Sequence, residues 1–183
     1  MTTATLAPTG TWNVDRVHSR VGFAVKHLGI ATVRGSFNDF EGVFEFGEDL
    51  ASSRAYGTVK TASVDTGESA RDEHLRNADF FDAEINPDIT FESTSIEHLD
   101  EDVLKVTGNL TLNGVAKEQT FHAELQGTEV DPGGNVRVGL EISGQISRGD
   151  YGMSFGDQLL GSGNRAVGDK VKIAIDVSAI KAA

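Results

Sequence analysis

The chain has 183 residues, and its 16 Lys and Arg against 28 Asp and Glu give a net charge of -12 at pH 7. This length predicts one domain that buries roughly 70% of its unfolded surface, enough for a core without disulfide bonds. The chain has no cysteine, which excludes thiolate catalysis and cysteine-ligated metal centres. Its acidic balance and scattered basic residues argue against nucleic acid as a partner.

The first ten residues, 1–10, carry no Lys or Arg and no long apolar run. We interpret them as a flexible segment that lacks the parts of a secretory signal peptide. We therefore expect a cytoplasmic protein, or a periplasmic or secreted one if a signal has been removed. All apolar runs are far shorter than the roughly 20 residues of a membrane-spanning helix, so we expect no stable membrane insertion.

Alternation of apolar and polar residues begins at Val17 and recurs in at least seven segments. This period predicts β-strands with one apolar and one solvated face. Between Val33 and Phe46 the apolar parity changes near Asn38 and Asp39, which predicts a β-bulge. The later segments are long and keep their phase; they run over 104–112, 121–127, 136–146 and 167–177.

One stretch, from Thr66 to Ala83, breaks the alternation and holds good helix formers. We predict a short helix at about residues 67–77. Thr66 is the expected N-cap, and Asp72 and Arg76 are spaced for an i,i+4 ion pair.

Turn signals indicate how the strands are connected. Asn113-Gly114 lies between two alternating segments and predicts a type I′ hairpin, and residues 131–135 predict a further turn. Consecutive strands should therefore pair antiparallel. An all-β, extended, eight-stranded antiparallel barrel hides the apolar faces and removes the sheet edges, whereas a two-sheet sandwich usually has shorter strands. The predicted helix would then lie near one mouth of the barrel.

Catalytic and metal-binding patterns are weak in this sequence. None of the histidines has the spacing of a local metal site; they are His18, His27, His74, His98 and His122. The acidic and basic residues at 71–74 point in different directions along a helix, so we interpret Arg71 and Asp72 as structural ties to neighbouring backbone. The glycine pattern at 161–166 lacks the strand and helix that dinucleotide binding requires. We predict no metal, no cofactor and no enzymatic activity.

The sequence predicts an interior that is apolar and partly empty. Ten residues are Phe, and glycines fall at inward positions, where we expect them to leave room in the lumen: Gly35, Gly42, Gly108, Gly127 and Gly144. A partly empty apolar tube suits a long hydrocarbon. An ordinary filled core is the alternative.

Several motifs, taken in chain order, resemble the YceI family. They include VHSRVGF at 17–23, RDEHL at 71–75, GNLTLNGV at 108–115 and ISR at 146–148. The resemblance extends over roughly residues 11–177 and implies that 11–183 form one lipocalin-like barrel domain. It further implies a polyisoprenoid ligand such as the chain of an isoprenoid quinone, frequent dimerisation and no established catalysis. Relatives in Gram-negative bacteria commonly act in the periplasm.

We therefore expect a homodimeric carrier that binds a polyisoprenoid lipid for transport, storage or sequestration. Two alternatives stay open. One is an enzyme on a small apolar substrate in which His18, His27 or residues 71–74 transfer protons. The other is a stress-related interaction module with a filled core.

The expected ligand contacts are inward apolar residues together with three polar residues at the rim. The apolar set is Phe23, Val25, Phe37, Phe40, Phe44, Phe46, Leu75, Phe80, Phe91, Leu110, Leu112, Ile142, Ile146 and Ile173. The polar set is His18, His27 and Arg71.

Overall fold

A computed structural model describes residues 8–183. Of the segment predicted to be flexible, residues 1–7 lie outside this range, and Gly10 is the first residue of a strand. The elements are β1 Gly10–Val14, β2 Arg20–His27, β3 Ala31–Phe37, β4 Phe40–Phe46, β5 Arg54–Lys60, β6 Val64–Asp65, α1 Ser69–Arg76, β7 Asp88–Asp100, β8 Val103–Leu112, β9 Val115–Val130, β10 Val136–Ser147 and β11 Val167–Lys181.

The strands form a closed antiparallel barrel. β1 pairs with β4 on one side and with β11 on the other, so the sheet meets itself. The barrel has eight strand positions. Three of them are broken strands, each made of two halves: β1 with β2, β3 with β4, and β5 with β6. The other five, β7 to β11, are continuous. The predicted eight-stranded barrel is confirmed.

The β-bulge predicted near Asn38 and Asp39 is wrong, because the strand breaks at these residues. β3 ends at Phe37 and pairs with β2 and β6, whereas β4 begins at Phe40 and pairs with β1 and β5. The change of parity therefore marks a break within one barrel strand, whose two neighbours are broken as well. A sequence pattern records the parity change but not the partner of each half.

The predicted hairpin turn at Asn113-Gly114 is confirmed. Asn113 has φ 53° and Gly114 φ 73°, the two positive angles that a type I′ turn requires. The turn sets the register between β8 and β9, in which Leu112 faces Val115.

The helix lies in the predicted segment, but its start and side-chain pairing differ. α1 covers Ser69–Arg76, and the Glu68 carboxylate caps it by accepting from the Ala70 amide. Thr66 instead bonds to the buried Asp72. Arg76 donates to the carbonyls of Ala62 and Val64, so the predicted pair between Asp72 and Arg76 does not form.

One end of the barrel, here called the closed end, is filled by apolar side chains. Trp12, Phe46, Leu104 and Val138 form the centre of a buried cluster, here called the closing cluster, with exposures of 0 to 4%. Full burial stabilises each such side chain by about 1.5–3 kcal/mol. The interior is therefore solid at this end.

The opposite end, here called the open end, carries most of the irregular structure. The β2–β3 turn at 28–30, the turn at 113–114 and the long connection 152–166 all emerge there. α1 covers part of the same end, where the chain passes from β6 to β7. Among residues 8–183, no helix has both the length and the apolar character that a bilayer crossing demands.

The inward glycines do not leave the empty space expected of them. A Cβ on Gly35 would collide with the Phe23 ring, and one on Gly144 with the Phe121 ring. At Gly108 the obstacle is the backbone of β7 as well as the ring of Phe91.

Gly42 has the Val14 side chain beside it, whereas Gly127 is exposed and has a φ of 123° next to a β-bulge, so it does not serve the lumen. Most of the predicted glycines thus receive a neighbouring side chain. These glycines contribute to the cavity indirectly, because they let aromatic rings lie flat along the wall.

An ion-pair network fastens the outside of the closed end. Arg137 of β10 donates to Asp15 at 2.8 Å and to Asp131 at 2.6 Å. These bonds from Arg137 hold the pKa of each carboxyl at about 2; His18 assists at Asp15, and Asn135 assists at Asp131. The network joins the break between β1 and β2 to the β9–β10 turn.

We predict that the Arg137→Gln variant loses stability in a pH-dependent way. The folded-state pKa values lie below the ordinary value of about 3.9, so the ionised carboxylates stabilise the fold fully above about pH 4 and lose this contribution towards about pH 2. Melting temperatures measured from pH 6 to pH 2 should show a gap between wild type and variant that closes on the acid side. A gap that stays constant down to pH 2 would contradict this assignment.

Candidate ligand-binding cavity

An apolar cavity of about 440 Å³ occupies the barrel between the closing cluster and the open end. Pockets for small ligands typically measure about 300–1,000 Å³. All of the predicted site residues line it except two; those that do are Phe23, Val25, His27, Phe37, Phe40, Phe44, Arg71, Leu75, Phe80, Phe91, Leu110, Leu112, Ile142, Ile146 and Ile173.

The two exceptions are Phe46 and His18. Phe46 has the inward parity, but it is the last residue of β4 and lies at the closed end. There it is 4% exposed within the closing cluster. His18 lies in a 3₁₀ turn between β1 and β2, with 63% of its side chain exposed and Nδ1 2.7 Å from Asp15. It belongs to the outer ion-pair network and not to the cavity rim.

Other lining residues were missed by the sequence reasoning. Phe121 has the inward parity of β9, so the alternation alone could have identified it. Phe81, Met153 and Phe155 line the cavity from irregular segments, where no periodicity shows which side chains turn inward.

Aromatic pairs fix the shape of the lining. The rings of Phe23 and Phe37 are 5.5 Å apart, and Phe37 meets Phe81 edge-on at the same distance. Phe91 and Phe121 form another edge-on pair at 5.4 Å. Each of these rings packs beside a glycine or another ring, so the phenylalanines line the wall and leave the centre open.

Arg71 is the polar residue of the rim that is best fixed in place. Its Nε donates to the Thr66 hydroxyl at 2.7 Å and its Nη2 to the Thr66 carbonyl at 2.9 Å. Thr66 in turn bonds to Asp72, which is buried. The predicted structural tie of Arg71 and Asp72 is therefore present, and it holds the guanidinium against the cavity.

His74 forms a second polar point at the mouth. Its Nε2 lies 2.8 Å from Asp79, and its ring meets Phe80 and Phe155 edge-on at 5.1 and 4.8 Å. Both members of the His74–Asp79 pair are more than a third exposed. This cluster ties α1 to the connection 152–166 across the open end.

The wall is thinnest between β4 and β5. Gly42 pairs with Gly57, and both positions face inward, so no side chain covers the backbone there. Outward residues such as Glu41 and Tyr56 consequently also border the cavity. The flank of the cavity is backbone at this point, whereas the rest of its lining is apolar side chain.

The buried Arg148 holds the connection 152–166 against the barrel. It is 3% exposed and donates to the carbonyls of Met153, Val167 and Gly168 and to the Asp157 carboxylate. Burial lowers the pKa of the Arg148 guanidinium, and the charge of Asp157 opposes this shift.

Asp169 supports the same region from β11. Burial raises the pKa of its carboxyl, but hydrogen bonds from the Ser147 hydroxyl and the Gly149 amide outweigh this and lower it overall. The carboxylate thereby fixes the end of β10 next to Arg148.

The barrel contains a cavity of about 440 Å³, so a core filled throughout is contradicted. Within the part of the chain that the structure describes, no three His, Asp or Glu side chains are grouped as metal ligands would be.

A closed antiparallel barrel with an apolar, dead-ended cavity defines a lipocalin-like binding protein. The model of the YceI-like domain family matches residues 12–179, and the chain belongs to this family. It is similar to the YceI protein of Escherichia coli O157:H7, with 44% identity over 135 residues, which are 73% of this chain and 70% of that protein.

Solved structures share the fold. The YceI protein of Campylobacter jejuni superposes with a TM-score of 0.72 at 33% identity, covering 86% of this chain and 90% of that one. A polyisoprenoid binding domain from Saccharophagus degradans, described as implicated in plant cell wall breakdown, gives 0.71 over 93% of this chain and 98% of that one. Its 14% identity supports likeness of fold alone.

We predict that Arg148→Met destabilises the protein and loosens the connection 152–166. Losing this guanidinium leaves several buried carbonyls and Asp157 without their donor, which should lower the free energy of unfolding by about 3 kcal/mol. Hydrogen exchange should show faster amides in 152–166. Arg165→Met is the matched control, because Arg165 also pairs with Asp157 but is exposed, and it should cost at most about 1 kcal/mol. Equal effects of the two variants would contradict the role given to Arg148.

Proposed function

We propose that this protein binds a long-chain polyisoprenoid inside its barrel and shields it from water. The observation that carries the proposal is the apolar, dead-ended cavity within a YceI barrel. The description of the Saccharophagus degradans neighbour as a polyisoprenoid binding domain supports the same ligand class.

The shape and chemistry of the cavity suit a flexible hydrocarbon. Its lining is aromatic and branched aliphatic, and polar side chains are confined to the open end and to the thin wall. At about 25 cal/mol per Å², burying some 400 Å² of lipid surface would contribute roughly 10 kcal/mol before the cost of ordering the chain. Burial alone thus provides the affinity, and shape rather than hydrogen bonding selects the ligand.

A polar head group would remain at the open end, beside Arg71, His27 and His74. A neutral ring with carbonyl acceptors, as in an isoprenoid quinone, fits this place better than a diphosphate. Asp79 already faces His74, and Asp72 adjoins Arg71, so a strongly anionic head would meet two carboxylates beside these side chains.

The proposed role is transport, storage or sequestration, without a chemical step and without a cofactor. The enzyme alternative needs an ionisable pair inside the pocket. The His74–Asp79 pair is half-exposed at the mouth and has aromatic edges on His74, an arrangement that favours a structural tie. The homodimer and the cytoplasmic location, or a periplasmic or secreted one after signal removal, likewise remain proposals.

We predict that solvent extraction of the purified protein, followed by mass spectrometry, releases a prenyl lipid and that Val25→Trp abolishes it. Val25 lines the cavity and belongs neither to the closing cluster nor to a second buried cluster, which contains Leu110 and Tyr151. An indole at position 25 should therefore fill the lumen while the fold survives. The neighbouring Ala24 faces outward, which makes Ala24→Trp the matched control.

Both variants should melt close to wild type, and the Ala24 variant should retain its lipid. Extracts free of prenyl lipid from wild-type protein, tested also after incubation with a quinone in detergent, would refute the proposal. Equal lipid retention by both variants would show that the ligand does not occupy the cavity.

A further inference from the structure

The open end exposes apolar side chains that the fold does not need. Ile30 is 78% exposed, Leu159 69%, Phe155 45% and Leu160 36%. These four residues, here called the mouth rim, lie on the β2–β3 turn and the connection 152–166. Exposed groups of this kind beside a ligand cavity mark interaction surfaces more often than isolated apolar residues do.

The two segments of the mouth rim are held together. The Leu28 amide donates to the Ala166 carbonyl at 3.0 Å, and the Asn164 side chain donates to the Leu28 carbonyl at 3.1 Å. Phe155 also lines the cavity. The rim is thus one continuous edge that borders the opening.

A group of basic residues continues from this rim along the outside of β2, β3 and β11. Lys26, Arg34, Lys170 and Lys172 are all exposed, and we call them the basic face. Arg34, Ala24 and Lys172 are neighbours across three strands, which places the two charged residues about 10 Å apart at the Cα atoms. The small Ala24 between them leaves both charges accessible.

This face is unusual for a chain with a net charge of -12. Among the described residues, no carboxylate forms a salt bridge with any of its four cations. Around α1, by contrast, the exposed charges are mainly acidic; they include Glu73, Asp79 and Glu84, with Arg71 as the exposed base. The open end is therefore basic along β2, β3 and β11 and mainly acidic around α1.

We propose that the mouth rim and the basic face dock this protein on the surface of a bilayer that contains anionic phospholipids. Apolar side chains enter the interface while Lys and Arg contact phosphate, the combination that binds peripheral proteins to membranes. The acidic side would tilt away, so that the mouth meets the lipid obliquely from the side of β2 and β3. The role of this docking rests on the proposed function, because a mouth that lies on the bilayer lets a prenyl chain pass between bilayer and cavity without crossing water.

A bilayer fits these residues better than other partners do. A second copy of this chain could cover the rim with its own rim only by bringing the two basic faces close together, and its largely acidic remainder offers no apolar layer. A bilayer supplies both an apolar layer and a dense array of phosphates. Nucleic acid would satisfy the cations but would leave the exposed Ile30 and Leu159 without a contact.

The test is vesicle flotation of the full chain with neutral phosphatidylcholine vesicles and with vesicles containing 30% phosphatidylserine, taken as roughly a physiological anionic share. We expect binding to the anionic vesicles that weakens with salt, since the Debye length shortens. Arg34→Glu with Lys172→Glu should lower the partition coefficient roughly tenfold to a hundredfold. Ile30→Ser with Leu159→Ser should weaken binding to the anionic vesicles even at low salt.

The matched control applies the same kinds of change at the closed end, as Lys105→Glu with Val130→Ser, and should leave binding unchanged. No flotation with anionic vesicles, equal loss in the control, or a charge-reversed variant whose only change is its oligomeric state would each overturn the proposal. All rim and face variants should still take up prenyl lipid from detergent. If the wild-type protein failed to take up prenyl lipid, the proposed function would be refuted. The flotation result would still decide independently whether the docking surface binds anionic membranes.

Discussion

The pairing of β1 with β11 is the contact on which the rest of the structure depends. It brings Val14 opposite Ala179 and closes the sheet. The inward faces of all strands therefore share one interior, and the sheet has no long free edge. It also carries Trp12 into the closed end, where that side chain is fully buried. Without this closure the apolar faces would be exposed, and there would be neither a solid end nor a cavity.

The barrel is packed solid at the closed end and contains a cavity further along its axis. At the closed end large side chains meet across the lumen, and the interior is a core. Further up, phenylalanines lie along the wall over glycines such as Gly35 and Gly144. Small and large residues therefore alternate across neighbouring strands, and volume that could have been core remains a cavity bounded by rings. The connection 152–166, fixed by Arg148, and the helix segment, fixed by Asp72, border its mouth.

Period-two patterning predicted the barrel, the long strands and most of the lining, because side chains in a strand must alternate between the two faces. It could not show how far along the axis a residue lies, so Phe46 was assigned to the cavity although it belongs to the closing cluster. It could not place Phe155, whose segment has no period. Nor could it show that the ring of Phe121 occupies the room at Gly144, since that depends on a cross-strand contact.

The central claim is that a prenyl chain lies within the barrel between the closing cluster and the mouth. Intermolecular nuclear Overhauser effects between a bound prenyl lipid and isotope-labelled protein test it most directly. The account predicts contacts from the lipid methyl groups to the rings of Phe23, Phe37 and Phe91. Contacts confined to exterior residues such as Ile30 and Leu159, with none to those rings, would contradict it.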